Sequence, residues 1–464
     1  MPGYAYLESD WRREAIRTNL WVVPTAVTAC ALALFGVTYG VDRAAYHGHL
    51  QLPSWVLSGT ADAARVILAT VAAALITVVG VVFSITIVAL TLASTQFGPR
   101  MLRNFVRDRG TQLTLGVFVA TFCYSMITLV SVGGGPHGEF VPHLSITVAL
   151  VMTLGDVGVL IYFLNHTATM IQLPVVVAAI AGTLATEIGV QQRGGSFGLG
   201  ASRGPSAEEL LARIAESGAE IRTPRSGYLQ VIRNDSLLRI ATSADAVIDL
   251  PYRPGHFLVA GQVMARVWPA GAASYVEQNL VRGHVTGPYR TLTQDISFGF
   301  DQLVEIALRA LSPAVNDTFT ALTCIDWIGD CLCRISTSWR PQRIRRDATG
   351  HIRVIAYQAD FDRLVERAFD KIRQCSDGMP AVMIRQLESL AKVMDQTPDG
   401  ARRATLLCQA DRIHRVSLRT VPEAADRDDV TRRYEAVRAM VCPEQPPEAL
   451  PESSAGRRSQ CTGE

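Results

Sequence analysis

The chain has 464 residues, enough for two or three domains, with 44 Lys+Arg against 42 Asp+Glu and a formal charge of +2. So even a balance gives no electrostatic footprint for nucleic acid. Only Lys371 and Lys392 are lysines, which excludes P-loop phosphate chemistry and leaves two sites for Schiff-base or prosthetic-group attachment. The nine cysteines include no CxxC pair and no Cys/His group at zinc spacing. They read as small buried hydrophobes in a reducing compartment, with neither a metal nor a cofactor implied.

Residues 1–19 carry Arg12, Arg13 and Arg17 and read as a cytoplasmic N-terminus. Four apolar segments follow at 20–39, 64–92, 113–132 and 144–164, each near the roughly 20 residues a crossing helix needs. The first stays apolar beyond Val27-Thr28-Ala29-Cys30, so it reads as an anchor and not as a cleaved signal. Arginines flank the first segment and fill the loop between the second and third, whereas the loop between the third and fourth has none. The positive-inside rule then places both termini in the cytoplasm of a multi-pass bacterial plasma-membrane protein in contact with the lipid bilayer. Residues 173–190 are also apolar, but NHTATMIQ signals a reversal poorly. They are expected to leave the membrane and pack against neighbours, with 173–222 forming connecting helices and 20–172 the transmembrane domain.

The second segment carries Thr70, Thr77, Ser84 and Thr91, each seven residues from the last. Seven residues are nearly two helical turns, so the four hydroxyls line one face. That face suits a tight helix seam or a water-facing pore wall. Just beyond, Arg100, Arg103, Arg107 and Arg109 alternate with Met101, Leu102, Phe105 and Val106, the pattern of an amphipathic helix with its arginines near lipid phosphates. Asp156 sits near the middle of the fourth segment, where an ionised carboxylate is costly. It reads either as a proton or cation site or as a hydrogen-bonded tie between helices.

After a Gly/Ser-rich break, residues 223–270 hold a small β module in the runs SGYLQVI, LLRIATSADAVIDL and HFLVAGQVMARVW. Its pattern is similar to β-sandwich modules of the biotinyl-lipoyl type, without the lysine that carries the prosthetic group, which implies a structural or binding module. Residues 271–442 read as a helical domain. In it Arg290, Gln294, Asp295, Arg309, Asn316 and Asp317 flank a kink at Pro313. These side chains form either a ligand or cation site or a set of helix caps and internal ion pairs. No nucleophile–base pair emerges, so an enzyme is not expected. Four amphipathic helices follow at about 356–376, 380–396, 401–419 and 423–441. Arg340, Arg343, Arg345 and Arg346 read as a solvated basic loop, and 443–464 as a disordered polar tail.

The stretches VVGVVFSITIVALTLASTQFGPRMLRNFVRDRGTQLTLGVFVATF, FVPHLSITVAL, IYFLNHTATMIQ and RTLTQDISFGFDQLVEIALRALSPAVNDTFTALTCID carry a resemblance to a bacterial family of predicted membrane proteins, domain of unknown function 2254. The resemblance spans about residues 10–420 and implies a multi-pass membrane protein with a cytoplasmic C-terminal region. It brings no activity or catalytic residue. The expected fold is an α-helical integral membrane domain of four transmembrane helices, followed by a cytoplasmic α+β region with a β-sandwich-like module and a helical C-terminal bundle. The expected function is a homo-oligomeric channel or transport-like protein, its path lined by the hydroxyls of the second segment. The alternative is a non-conducting membrane-anchored sensor or scaffold that binds through the cytoplasmic domain.

Overall fold

The computed structural model describes residues 21–51, 53–97, 108–135, 138–193, 203–339 and 342–441. The expected N-terminal 1–19 and tail 443–464 segments lie outside them, as do residues 98–107 of the expected amphipathic segment 98–109. The chain divides into two units, residues 1–328 with 340–359 and residues 329–339 with 360–464.

The first unit opens with five long helices: α1 (Val22–Tyr46), α2 (Ala61–Phe97), α3 (Arg109–Ser131), α4 (His143–Met170) and α5 (Leu173–Arg193). All five are long and apolar enough to cross a membrane, so α5 qualifies beside the four that the sequence reading counted. The 37 residues of α2 reach about 55 Å, well beyond a hydrocarbon core of about 30 Å. Strands β1 (Gly133–Gly135) and β2 (Gly138–Phe140) pair antiparallel between α3 and α4.

The bundle is organised around α3, which packs on α1, α2 and α4. The seam of α2 is Ala61, Leu68, Leu75, Val82 and Ala89, all buried, and the seven-residue spacing keeps this stripe on one partner over many turns. Elsewhere α2 exposes Val66, Ile76, Val81, Phe83, Ile87 and Val88, a surface whose natural solvent is lipid.

The α+β region begins with α6 (Ala207–Ser217), closed by a capping box between Ser206 and Glu209. Strands β3 (Ala219–Arg222), β4 (Gly227–Ile232), β5 (Val247–Leu250), β6 (Phe257–Leu258), β7 (Val263–Trp268), β8 (His284–Gly287), β9 (Ile344–Arg346) and β10 (Ile352–Ala356) form two small sheets, ordered β3-β7-β5-β10-β9 and β6-β4-β8. Helices α7 (Asn234–Ser243) and α8 (Ala273–Leu280) interleave with the strands. The sandwich-like module expected at 223–270 is therefore a larger, discontinuous α+β unit. LLRIATS, read as strand, is helical because Leu237, Ile240 and Ala241 reach the core at i, i+3 and i+4. Of the expected basic loop, Arg345 and Arg346 lie in strand β9, paired with β10, Arg343 stands just before it, and Arg340 lies outside the described residues.

Helices α9 (Ile296–Ala310) and α10 (Thr318–Ser338) follow, separated at Pro313 as the sequence implied. Buried Leu184 of α5 faces Gly299 of α9, where a Cβ would come within 2.7 Å of the leucine. Glycine lets the two helices approach.

In the second unit, α11 (Phe361–Cys375), α12 (Pro380–Asp395), α13 (Gly400–Thr420) and α14 (Ala424–Ala439) lie within a few residues of the expected spans. Arg402 of α13 donates to the carbonyls of Ile335, Ser336 and Trp339 at 3.3, 3.1 and 3.0 Å, joining the Trp339 N–H on Ile335 and meeting acceptors at the end of α10. Arg402→Ala removes these bonds and is expected to cost about 1–2 kcal/mol, read as a lower thermal midpoint of the detergent-purified protein.

Candidate functional site

Helix α3 carries a row of enclosed polar residues, which Thr38 and Asp42 of α1 and Ser145, Thr147 and Asp156 of α4 join. Gln112, Thr114, Thr121, Ser125 and Thr128 are at most 3 % exposed. Thr114, Thr121 and Thr128 are seven residues apart, the same interval as the α2 hydroxyls. This second series went unread in the sequence, although its spacing was there to find. A helix that turns its hydroxyls inward hides them from lipid, where unsatisfied polar groups are costly.

At one end of the row, buried Asp42 of α1 accepts the amides of Leu144 and Ser145 at 2.8 and 2.9 Å and the Ser145 hydroxyl at 2.7 Å. Pro142 precedes α4 and supplies no side-chain cap. Asp42 therefore caps α4 from another helix, its charge matched to the positive end of the helix dipole. Thr38 Oγ1 lies 3.1 Å from Ser145 Oγ and 2.8 Å from the Tyr124 hydroxyl, tying α1, α3 and α4 together. In mid-bundle, Asp156 is 3 % exposed and its Oδ1 lies 3.2 Å from Thr121 Oγ1.

At the other end, Asp108 caps α3, accepting the Thr111 amide at 2.7 Å and its hydroxyl at 2.8 Å, while His166 Nε2 of α4 sits 2.8 Å from the same carboxylate. The Tyr162 ring stacks on His166. Burial pushes the Asp108 pKa up, but the Thr111 bonds and His166 outweigh it and hold the carboxyl below its ordinary value. A cavity of about 30 Å³ beside Thr111, lined also by Thr86, Leu90, Thr167 and Met170, has room for a water.

The α2 hydroxyls are placed differently. Thr70, Thr77, Ser84 and Thr91 are all exposed, opposite the seam with α3. Thr70, Thr77 and Thr91 donate to the carbonyls of Val66, Ala73 and Ile87 on their own helix at 2.7–2.9 Å. Among the described residues this face packs against no other helix. Of the surface arginines, Arg100, Arg103 and Arg107 lie outside the described residues. Arg109 opens α3 and is exposed.

In the soluble region the structure gathers half of the predicted cluster. Arg290 contacts Asp295 through Nε at 2.8 Å and Nη2 at 2.7 Å, and Asp301 through Nη1 at 2.6 Å, with its guanidinium over the Phe298 ring. Arg253, which the sequence reading passed over, stands 3.7 Å from Asp295. Asp295 is 1 % exposed and caps α9 through the Phe298 amide. Gly255, at φ +95°, passes so close that a Cβ would strike the Asp295 carboxylate. Gln294 clamps both backbone groups of Ile232 through its amide and donates its own N–H to Glu187 of α5 at 2.8 Å. Arg309, Asn316 and Asp317 are not part of this group. They stand at the far end of α9, where Asp317 caps α10 through the Thr320 amide.

The cluster is thus an internally paired joint that fastens α5, β4 and α9. Buried Cys324 and Cys331 have their thiols pushed up to about 12 by burial, reinforced by Asp317 and Asp330 respectively, so neither is a ready thiolate. Among the described residues no group of three His, Cys, Asp or Glu is arranged to hold a metal ion.

A family model described as "Predicted membrane protein (DUF2254)" matches residues 17–392. The chain belongs to that family of predicted membrane proteins. It is also similar to an uncharacterized protein of Mycobacterium bovis and to one of Mycobacterium tuberculosis, 30% identical to each over 438 residues, covering 90% of this chain and 80% of each relative. No solved structure matches it.

Two predictions follow from the site. Arg290→Ala leaves Asp295 buried beside only the more distant Arg253 and is expected to destabilise by about 3 kcal/mol, with Arg290→Lys recovering part of that in the same unfolding measurement. Because the Asp108 pKa is depressed in the folded state, its stabilisation is complete above the ordinary carboxylate pKa of about 3.9 and is lost as pH falls through the lower folded value. The thermal midpoint should therefore drop more steeply between about pH 5 and about pH 3 in the parent protein than in Asp108→Asn.

Proposed function

We propose that the protein is a homo-oligomeric, transport-like protein of the bacterial plasma membrane, with both termini in the cytoplasm. The observation that carries the reading is the outward face of α2. Thr70, Ala73, Thr77, Gly80 and Ser84 recur at steps of three and four, so small side chains form one continuous track, and among the described residues nothing lies within 4 Å of a Cβ built on Gly80. Such a track lets a helix from a second copy approach closely, while the large apolar side chains beside it meet lipid. Because the threonine protons go to the helix's own carbonyls, the hydroxyl oxygens present lone pairs outward. A ring of such faces around an axis is a row of acceptors able to replace water on a passing solute. The Gln294–Glu187 joint supplies a mechanical route by which the soluble region can act on the helices.

The test combines size and flux. The parent protein in detergent should elute as an oligomer, and Gly80→Leu or Ser84→Leu should shift it towards monomer by filling the track. In planar bilayers the parent should carry current that Ser84→Leu reduces or abolishes. A parent that is monomeric in both detergent and lipid nanodiscs overturns the reading. A stable oligomer that passes no current leaves a membrane-anchored sensor or scaffold in its place.

A further inference from the structure

Asp156 is the one carboxyl within the apolar length of α4, and among the described residues its surroundings contain no counter-charge. Among the described residues, the charged and histidine side chains of the bundle stand at its ends. Asp42, Arg43, Asp62, Arg65, Glu139 and His143 are at one end, Asp108, Arg109 and His166 at the other, and Glu187 is near the C-terminal end of α5. The remaining titratable groups of α1 to α4 are Cys30, Tyr39, Tyr46, Cys123, Tyr124 and Tyr162, none of them a cation. An ionised carboxylate here would stand unpaired in a medium that solvates charge poorly.

The hydrogen bonds point the same way. Thr121 has a single hydroxyl proton and two oxygens within reach, the Val117 carbonyl at 3.1 Å and Asp156 Oδ1 at 3.2 Å. Thr128 on the same helix and Thr153 on α4 give their protons to backbone carbonyls four residues back. If Thr121 does likewise, its contact with Asp156 is a hydrogen bond only when the carboxyl is the donor. Asp156 Oδ2, Ser125 Oγ and Thr114 Oγ1 are buried with no partner. On α3, Ser125 lies one turn from Thr121 and Thr114 two turns in the other direction, so hydroxyls continue the polar row on both sides of the carboxyl.

We infer that Asp156 is a proton-binding carboxyl inside the bundle, held as the neutral acid and donating to Thr121 Oγ1, with the Ser125 and Thr114 hydroxyls as the polar steps on either side. The proton comes from hydronium and returns to water, with no other bond made or broken. A sodium-sized ion is disfavoured because it would need several oxygens at once, and the helix carbonyls around Asp156 are engaged in helix bonds. The inference requires neither self-association nor conduction, so it stands or falls apart from the transport reading.

Infrared difference spectroscopy of the full-length protein in liposomes, titrated from acid to alkaline pH, tests it. A carboxylic-acid carbonyl band should be present at low pH, vanish reversibly on alkalinisation and be missing in Asp156→Asn. Thr121→Val, which preserves shape, should move the band to higher frequency because the acid loses its hydrogen-bond partner. It serves as the second readout should Asp156→Asn fail to fold. Absence of such a band at every pH, a band that persists unchanged at alkaline pH, or a band abolished by sodium at fixed pH each overturns the proposal, the last in favour of a cation site.

Discussion

Burial of a polar helix face inside an apolar bundle is the constraint on which the membrane half depends. Helix α3 carries Gln112, Thr114, Thr121, Tyr124, Ser125 and Thr128 on the side that its neighbours cover. Where no water is at hand, these groups must find partners within the protein. The arrangement around them follows. Thr38 and Asp42 of α1 reach Tyr124 and Ser145, Asp156 of α4 meets Thr121, and His166 holds Asp108 at the start of α3. Each bond links two helices that apolar packing alone would leave free to slide, because lipid and leucine are equally apolar.

A second constraint joins this bundle to the α+β region. The Gln294 amide N–H is committed to Glu187, its side chain to Ile232, and the next residue, Asp295, to two arginines and a helix cap. Three elements, α5, β4 and α9, meet over two consecutive residues. Gln294 takes up φ +60° to do so, a conformation that non-glycine residues adopt only where surrounding contacts enforce it. Movement of α5 must therefore be felt by α9 and β4.

Legibility in the sequence followed the kind of signal. Long apolar runs and helical periodicity pointed to α1 to α5 and α11 to α14, since length and hydropathy are properties of the chain alone, although α1 and α4 run on past the expected ends to Tyr46 and Met170. The α7 segment was misread as strand because LLRIATS is short, and only its contacts with the sheet show which period applies. The polar cluster was half legible. The residue types from Arg290 to Asp295 offered a ligand site or internal pairing, and nothing local separated them from Asn316 and Asp317 at the far end of α9, where Asp317 caps α10. Arg253 and Arg402 act over long sequence distances, so no spacing rule points to them.

The hydroxyl series show most plainly where sequence stops. Thr70, Thr77, Ser84 and Thr91 on α2 and Thr114, Thr121 and Thr128 on α3 have the same seven-residue interval, and that interval determines that each set shares one helix face. It does not determine which way the face turns. Only packing decides this: α2 buries its alanine and leucine seam and leaves the hydroxyls outside, while α3, covered by α1, α2 and α4, takes its hydroxyls inside. The sequence by itself thus determined a membrane protein with a stack of long apolar helices, its family and its terminal helical bundle, because these rest on local composition and period. The tertiary structure decided which polar residues are enclosed and which carboxyl is left without a counter-charge, because these depend on what each face meets across the fold.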